Sequence, residues 1–325
     1  MRVLITGGAG FIGSFLAEAY LEQGEEVYII DDLSTGSLEN IKHLVEHREH
    51  RDRLHVTIES VLNQEAMLEL VGTCDLVVHL AAAVGVQYIL DNPLASMTTN
   101  IGGTEAVLRL CNKFRKQVLI ASTSEVYGKH DRAPLRETDD CIYGPSVKWR
   151  WSYAATKLVD EFMAIAYYRT KKLPVVIARF FNTVGPRQTG RYGMVLPRFV
   201  KQALANEPIT VYGDGAQSRT FTHVRDAVAA VQRLLDRPQA IGEVVNIGGI
   251  EEVTILELAQ RIKEKTGSSS EIKCVPYDEI FPRDFEDMRR RVPSIEKLEK
   301  LTRFTPQMNL DKILEDVIAY HRAGE

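Results

Sequence analysis

Short runs of apolar residues recur along the first half of the chain, at residues 3–5, 27–30, 55–58, 76–80, 118–121 and 175–178. Each is too short for a typical helix and too continuous for a strand with one wet face, so each reads as a strand buried on both sides. Between them the pattern shifts to helical spacing. Phe11, Phe15, Leu16 and Ala19 share a face over residues 11–23, and longer helices are expected at 98–114 and 152–170. This alternation predicts an α/β chain with a doubly wound parallel sheet covered by helices on both faces. Past Phe181 the punctuation changes: Gly185-Pro186, Gly190, Gly193, Pro197, Pro208 and Gly213-Asp214-Gly215 break the chain into shorter elements around a site. A helix at 226–235 and a strand at Val244–Ile247 rejoin the sheet. The expected division is therefore interleaved, with residues 1–180 and 220–248 forming the sheet domain and residues 181–219 and 249–325 a smaller C-terminal substrate lobe.

The glycines that follow the first strand give this architecture a ligand. Gly7-Gly8-Ala9-Gly10-Phe11-Ile12-Gly13 runs from a strand into a helix, the context of a Rossmann dinucleotide loop, here spaced GxxGxxG. Gly7, Gly10 and Gly13 allow a tight turn, a close approach of backbone to a pyrophosphate, and close packing of helix on strand. Phe11 and Ile12 open the helix whose N-terminus faces the phosphates. The second strand ends in Asp31-Asp32, eighteen residues past Gly13, where an acid binds the adenosine ribose hydroxyls and favours NAD over NADP.

Charge narrows the partners. Forty basic and 44 acidic residues give a net charge of −4, which provides no global field for nucleic acid or an anionic membrane. Cys74, Cys111, Cys141 and Cys274 lack paired spacing, so a reducing, cytoplasmic setting is expected and neither a disulfide frame nor a metal is. Met1 is followed at once by an apolar strand, which is not the pattern of a secretory leader, and no apolar run approaches a membrane span. His43-Leu44-Val45-Glu46-His47 matches a zinc-protease pattern but lies in a charged run that reads as a solvated connecting helix.

Two further segments carry chemistry. Tyr153-Ala154-Ala155-Thr156-Lys157 places a phenol and an ammonium four apart on one helical face, where the ammonium is expected to lower the phenol's pKa and make it a base. The strand at 118–121 ends in Ser122-Thr123-Ser124-Glu125, at the carboxyl edge where such sheets bind ligands. A hydroxyl there can bridge the tyrosine and a substrate hydroxyl.

With these residues in place, the whole chain resembles the extended short-chain dehydrogenase/reductases that modify nucleotide sugars. The resemblance extends to His79-Leu80-Ala81-Ala82, Thr99-Asn100-Ile101-Gly102-Gly103-Thr104, the run from Arg179 to Arg187, and the run from Tyr212 to Arg219. It implies Thr123, Tyr153 and Lys157 as a catalytic triad, with Leu80, Ala81, Ala82 and Asn100 joining the NAD contacts. Asn182 and Arg219 would hold the nucleoside diphosphate, with Leu196, Arg198 and Tyr212 nearby. It also implies a homodimer formed through the helices at 98–114 and 152–170.

Family members share oxidation of the sugar at C4 and differ in the later steps. A 4,6-dehydratase places an Asp where this chain has Ser124. A UDP-sugar 4-epimerase needs little beyond the triad, and the loop Gln188-Thr189-Gly190-Arg191-Tyr192-Gly193-Met194-Val195 resembles epimerase loops equally well. UDP-glucuronate decarboxylases share the Thr123-Ser124-Glu125 triplet and an Arg three residues before the tyrosine, here Arg150. They also share a segment like Phe285-Glu286-Asp287-Met288-Arg289-Arg290-Arg291-Val292-Pro293, whose Arg two before the proline is Arg291. The resemblance therefore implies decarboxylation of UDP-glucuronate through a 4-keto intermediate, with the 4-epimerase as the alternative. Ser124 and Glu125 would orient the carboxylate, and Glu125 would relay a proton if burial raised its pKa. A non-catalytic NAD-binding protein would lack Tyr153 or Lys157, and both are present.

Overall fold

The computed structural model describes residues 1–85, 89, 91–130, 132–189, 194–280, 286 and 288–323. Residues 190–193 of the epimerase-like loop, together with Phe285 and Asp287, lie outside the described residues. The apolar runs form β1 (Arg2–Thr6), β2 (Glu26–Asp31), β3 (Leu54–Ile58), β4 (Leu76–His79), β5 (Gln117–Thr123) and β6 (Val175–Phe180). With the strand Val244–Ile247 they make one seven-stranded sheet in the order Val244–Ile247, β6, β5, β4, β1, β2, β3, paired in parallel throughout. The chain winds outward from β1 to β3, then returns to β4 on the other side of β1. That reversal opens a crevice above the carboxyl ends of β1 and β4.

Both faces of the sheet are covered. Helices Phe11–Glu22 and Val224–Leu235 close one face over Val3, Ile5, Val27 and Val245. Helices Gln64–Thr73, Pro93–Phe114 and Ser152–Lys171 close the other over Leu4, Val77, Val118 and Ile177. The helix expected at 98–114 starts earlier, because Pro93 occupies its first turn, where a missing N–H costs no hydrogen bond.

The smaller lobe has its own core, Leu196, Phe199, Val200, Ile209, Leu258, Ile262, Ile313 and Val317 among it. Strand Ser218–Thr220 lies between Glu252–Thr254 and Arg290–Arg291. One part of the expected lobe packs elsewhere. Ile295, Leu298 and Phe304 join the sheet's first face, so the helix Glu296–Thr302 belongs structurally with the sheet and not with the lobe. Among the described residues, no helix is long and apolar enough to cross a membrane.

Candidate active site

A continuous cleft of about 1640 Å³ follows the crevice from Asp31 at one end to Arg219 at the other. At the first end β1 turns at Gly7, whose φ of +70° suits glycine, and its N–H donates to the Ile30 carbonyl (2.8 Å). A Cβ on Gly13 would stand 2.2 Å from the Gly7 carbonyl oxygen, so glycine there lets the helix begin against the strand. The first turn of a helix leaves its N–H groups without intrahelical acceptors, and Phe11, Ile12 and Gly13 line the cleft at that point. Asp31 accepts hydrogen bonds from Ala9 N (3.0 Å) and Leu33 N (2.9 Å). Burial pushes its carboxyl up and these backbone bonds oppose the rise. Asp32 is exposed and accepts from Ser34 N (2.9 Å), so Asp31 is the better fixed of the two acids. Leu80, Ala81 and Ala82 form the facing wall. Asn100 lies one layer behind it, where its carboxamide accepts from Ala83 N (2.7 Å) and donates to Ala83 O (3.3 Å). A glycine-only approach, a helix N-terminus and a fixed carboxylate together fit an adenine dinucleotide.

In the middle of the cleft β5 delivers Thr123, whose hydroxyl oxygen accepts from Glu125 N (3.2 Å) and caps the short turn Ser124–Tyr127. Tyr153 and Lys157 project into the same region from the helix Ser152–Lys171. The sequence predicts a phenol acidified by Lys157, and the structure corrects this. Burial, then Glu125 and Asp160, push the Tyr153 phenol above its ordinary value, while a hydrogen bond with Thr123 pulls the other way. Lys157 has turned inward to donate to Asp160 Oδ2 (2.7 Å), so part of its charge is spent on a buried partner.

Beside Tyr153, the Glu125 carboxylate is shared by two guanidiniums. Arg150 Nη1 meets Oε2 at 2.5 Å, and Arg291 Nη1 pairs with Oε1. Arg291 also donates to Asn182 Oδ1 (2.7 Å), and Asn182 donates to the Thr220 carbonyl (2.8 Å). Backbone register brings Arg291 here, since Arg290–Arg291 runs parallel to Ser218 and Arg219 and Pro293 bridges to Leu135. Burial would raise the Glu125 carboxyl, but the two guanidiniums overcome it and hold the group well below the usual carboxylate range. The expectation of a proton relay at Glu125 is therefore overturned: it stays an anion. Ser124 is buried and lines the cleft next to it.

At the far end the Arg198 guanidinium stacks over the Tyr212 ring, 3.7 Å from its centroid, and donates to Thr210 O (3.1 Å). Leu196 and the buried Arg219 complete this wall with Phe221 and Tyr277. An aromatic face backed by guanidiniums suits a base and its phosphates.

Several residues of the site have partners that the sequence does not reveal. Asp160 reads there as an ordinary helical charge. Arg179 makes a two-point bond to Glu161 (2.9 and 2.7 Å) beneath β5, with Ser122 donating to the same carboxylate (2.5 Å). Glu286 ties Lys129 (2.6 Å), Lys148 and Trp151 Nε1 (3.0 Å) to the segment that carries Arg291.

Known proteins share this architecture. The profile of the family described as GDP-mannose 4,6 dehydratase matches residues 4–317. A UDP-N-acetyl-alpha-D-glucosaminuronate decarboxylase from Bacillus cytotoxicus is 41% identical across 100% of this chain and 98% of its own. A UDP-glucuronic acid decarboxylase 1 from Danio rerio is 35% identical across 98% of this chain and 72% of its own. Among solved structures, the UDP-glucuronic acid 4-epimerase from Bacillus cereus, in complex with UDP-glucuronic acid and NAD, is 30% identical with a TM-score of 0.89 and covers 100% of both chains.

Proposed function

We propose that this chain, which belongs to the GDP-mannose 4,6 dehydratase family, is an NAD-dependent decarboxylase of a UDP-hexuronate. The observation that carries the reading is Glu125 shared between Arg150 and Arg291 beside Tyr153. Two cations on one anion leave that cluster one positive charge in excess, at the place where a C6 carboxylate would reach when C4 faces Tyr153.

The N–H groups of Phe11, Ile12 and Gly13 together with Asp31 would hold NAD, which would supply the hydride acceptor for C4 of the sugar and the donor for its later reduction. Tyr153 takes the C4 hydroxyl proton, and Thr123 orders that hydroxyl against the phenol. The 4-keto sugar is then a β-keto acid. Its C5–C6 bond breaks, CO2 leaves, and the electron pair moves onto the C4 oxygen as an enolate. Arg150 and Arg291 bind the carboxylate before the break, and Arg291 steadies the enolate after it. A guanidinium does not surrender its proton near neutral pH, so C5 is protonated by a water that Arg291 orders.

The UDP end rests on Arg198, Tyr212, Arg219 and Asn182, and the two interleaved parts of the chain divide the ligands between them. UDP-glucuronate is the first candidate substrate. The 41% identical relative favours a second reading in which C2 carries an acetamido group. A homodimer across helices Pro93–Phe114 and Ser152–Lys171 is supported by Leu94 and Phe162, which are 78% and 68% exposed on two helices that pack together. Four free cysteines support a reducing, cytoplasmic setting.

The test is incubation of the NAD-loaded protein with UDP-glucuronate and with UDP-N-acetylglucosaminuronate, products being read by mass spectrometry. Loss of CO2 is expected, giving a UDP-pentose from UDP-glucuronate or a UDP-2-acetamido-pentose from UDP-N-acetylglucosaminuronate, or the matching 4-keto sugar, as is loss of turnover by at least ~10²-fold in Tyr153→Phe. Isomers of unchanged mass from both substrates would make the enzyme a 4-epimerase.

A further inference from the structure

Lys157 and Asp160 form an ion pair that is almost wholly removed from solvent, their side chains being 3% and 0% exposed. They sit one turn apart on the helix that presents Tyr153, with Asp160 on the side away from the cleft. The pair continues into a buried polar chain. The Thr104 hydroxyl lies beside Asp160 and meets His79 Nε2 (3.2 Å), and His79 Nδ1 meets Thr6 Oγ1 (2.8 Å). Thr6 Oγ1 in turn accepts from Ala81 N (3.2 Å), in the wall that faces the dinucleotide loop. Buried polar side chains thus line the space between the lysine's partner and the backbone of the opposite wall.

From this geometry we propose that Asp160 is a positioning residue for proton transfer, anchoring the Lys157 ammonium and setting how much of its charge reaches the Tyr153 phenol. The inference rests on the reading of Tyr153 as the base. An ammonium has three protons to give. One is committed inward to Asp160, which leaves two for the cleft and fixes the direction in which they point.

Among the charges described around the phenol, Asp160 is the one that pairs with Lys157. On the same helix Glu161 is neutralised by Arg179 of β6. Glu125, which acts on the phenol more strongly than Asp160, is paired with Arg150 and Arg291 and does not touch Lys157. His79 on β4 is kept neutral, its pKa pushed down to about 3 by burial and then by Lys157, and Thr104 carries no charge. The charge acting on the phenol from below is that of the Lys157–Asp160 pair, whose field is weaker than that of a bare ammonium. Asp160 is itself among the groups that raise the phenol.

Removing the carboxylate charge exposes the phenol to the full ammonium, so its pKa falls and the acid limb of kcat/KM moves to lower pH. The experiment uses the full-length, NAD-loaded protein. Tyrosinate absorbance is titrated as the difference between each form and the same form carrying Tyr153→Phe, which reads the phenol whether or not turnover occurs. Asp160→Asn, which keeps the shape, should lower the titration by about one pH unit, a tenfold gain in phenolate at fixed pH. The acid limb should move by the same amount, with the KM for the UDP-sugar within about twofold. Thr104→Val removes the hydroxyl that steadies the Asp160 anion and should shift both readouts the same way by less, which keeps the test available if Asp160→Asn does not fold. A folded variant of either kind with titration and acid limb at the wild-type positions overturns the proposal. Product identity plays no part in this readout, so an epimerase outcome would leave it standing. Turnover retained in Tyr153→Phe alone would remove the base itself.

Discussion

At the Asp31 end of the cleft the chain builds the surface from residues 7–33 and the wall at Leu80–Ala82, and largely from backbone: Gly7 N on Ile30 O, and Ala9 N and Leu33 N on Asp31. Beside Tyr153 the cleft wall takes Glu125, Arg150, Asn182 and Arg291 from four separate stretches, and it is held by charge. A backbone cradle tolerates most side-chain changes and fails where a side chain is added. A cluster of charges is sensitive at every member, because removing one leaves another uncompensated.

That contrast breaks first at Arg291. Arg291→Ala leaves Glu125 with one cation and Asn182 without its donor, and turnover should fall by roughly 10²–10³-fold while calorimetry finds NAD affinity unchanged. Loss of NAD binding in the same variant would mean that the two ends are not independent. Gly13→Ala should do the reverse. Its Cβ would press on the Gly7 carbonyl at 2.2 Å, and the backbone shift should cost about 1–3 kcal/mol of stability, seen as a lower unfolding midpoint, and weaken NAD by about tenfold or more. Asp31→Asn should be the mildest of the three. NAD affinity falls by several-fold, discrimination against NADP narrows, and the KM for the UDP-sugar stays where it was; an equal fall for NADP would show that Asp31 does not face the 2′ position.

The same contrast decides how much of the site is legible in the sequence. The glycine loop, its helix and Asp31 are contiguous, so strand, loop and acid appear together there. Arg291 is visible only by resemblance, because a two-residue strand has no periodicity and its place depends on register with Ser218 and Arg219. Tyr153 and Lys157 announce themselves by spacing, but spacing cannot show that the ammonium has a second partner beneath it. Glu125 lies 25 residues from Arg150 and 166 from Arg291, so the two charges that keep it ionised are invisible in its local sequence. The helix Glu296–Thr302 alternates charge with few apolar residues, which hid Leu298 as a core residue of the sheet.

That last helix has a consequence for the molecule as a whole. After Arg291 the chain leaves the smaller lobe, docks Ile295, Leu298 and Phe304 on the sheet, and then returns to lay Leu310–Ala323 on the lobe again. Residues 224–247 likewise pack in the sheet core between stretches 184–221 and 253–262 that pack in the other, so the two cores are laced together like a seam. Neither half is a transplantable module: exchanging sugar lobes between relatives would require several cuts in one polypeptide. Specificity in such a chain is more readily changed one residue at a time than by swapping parts.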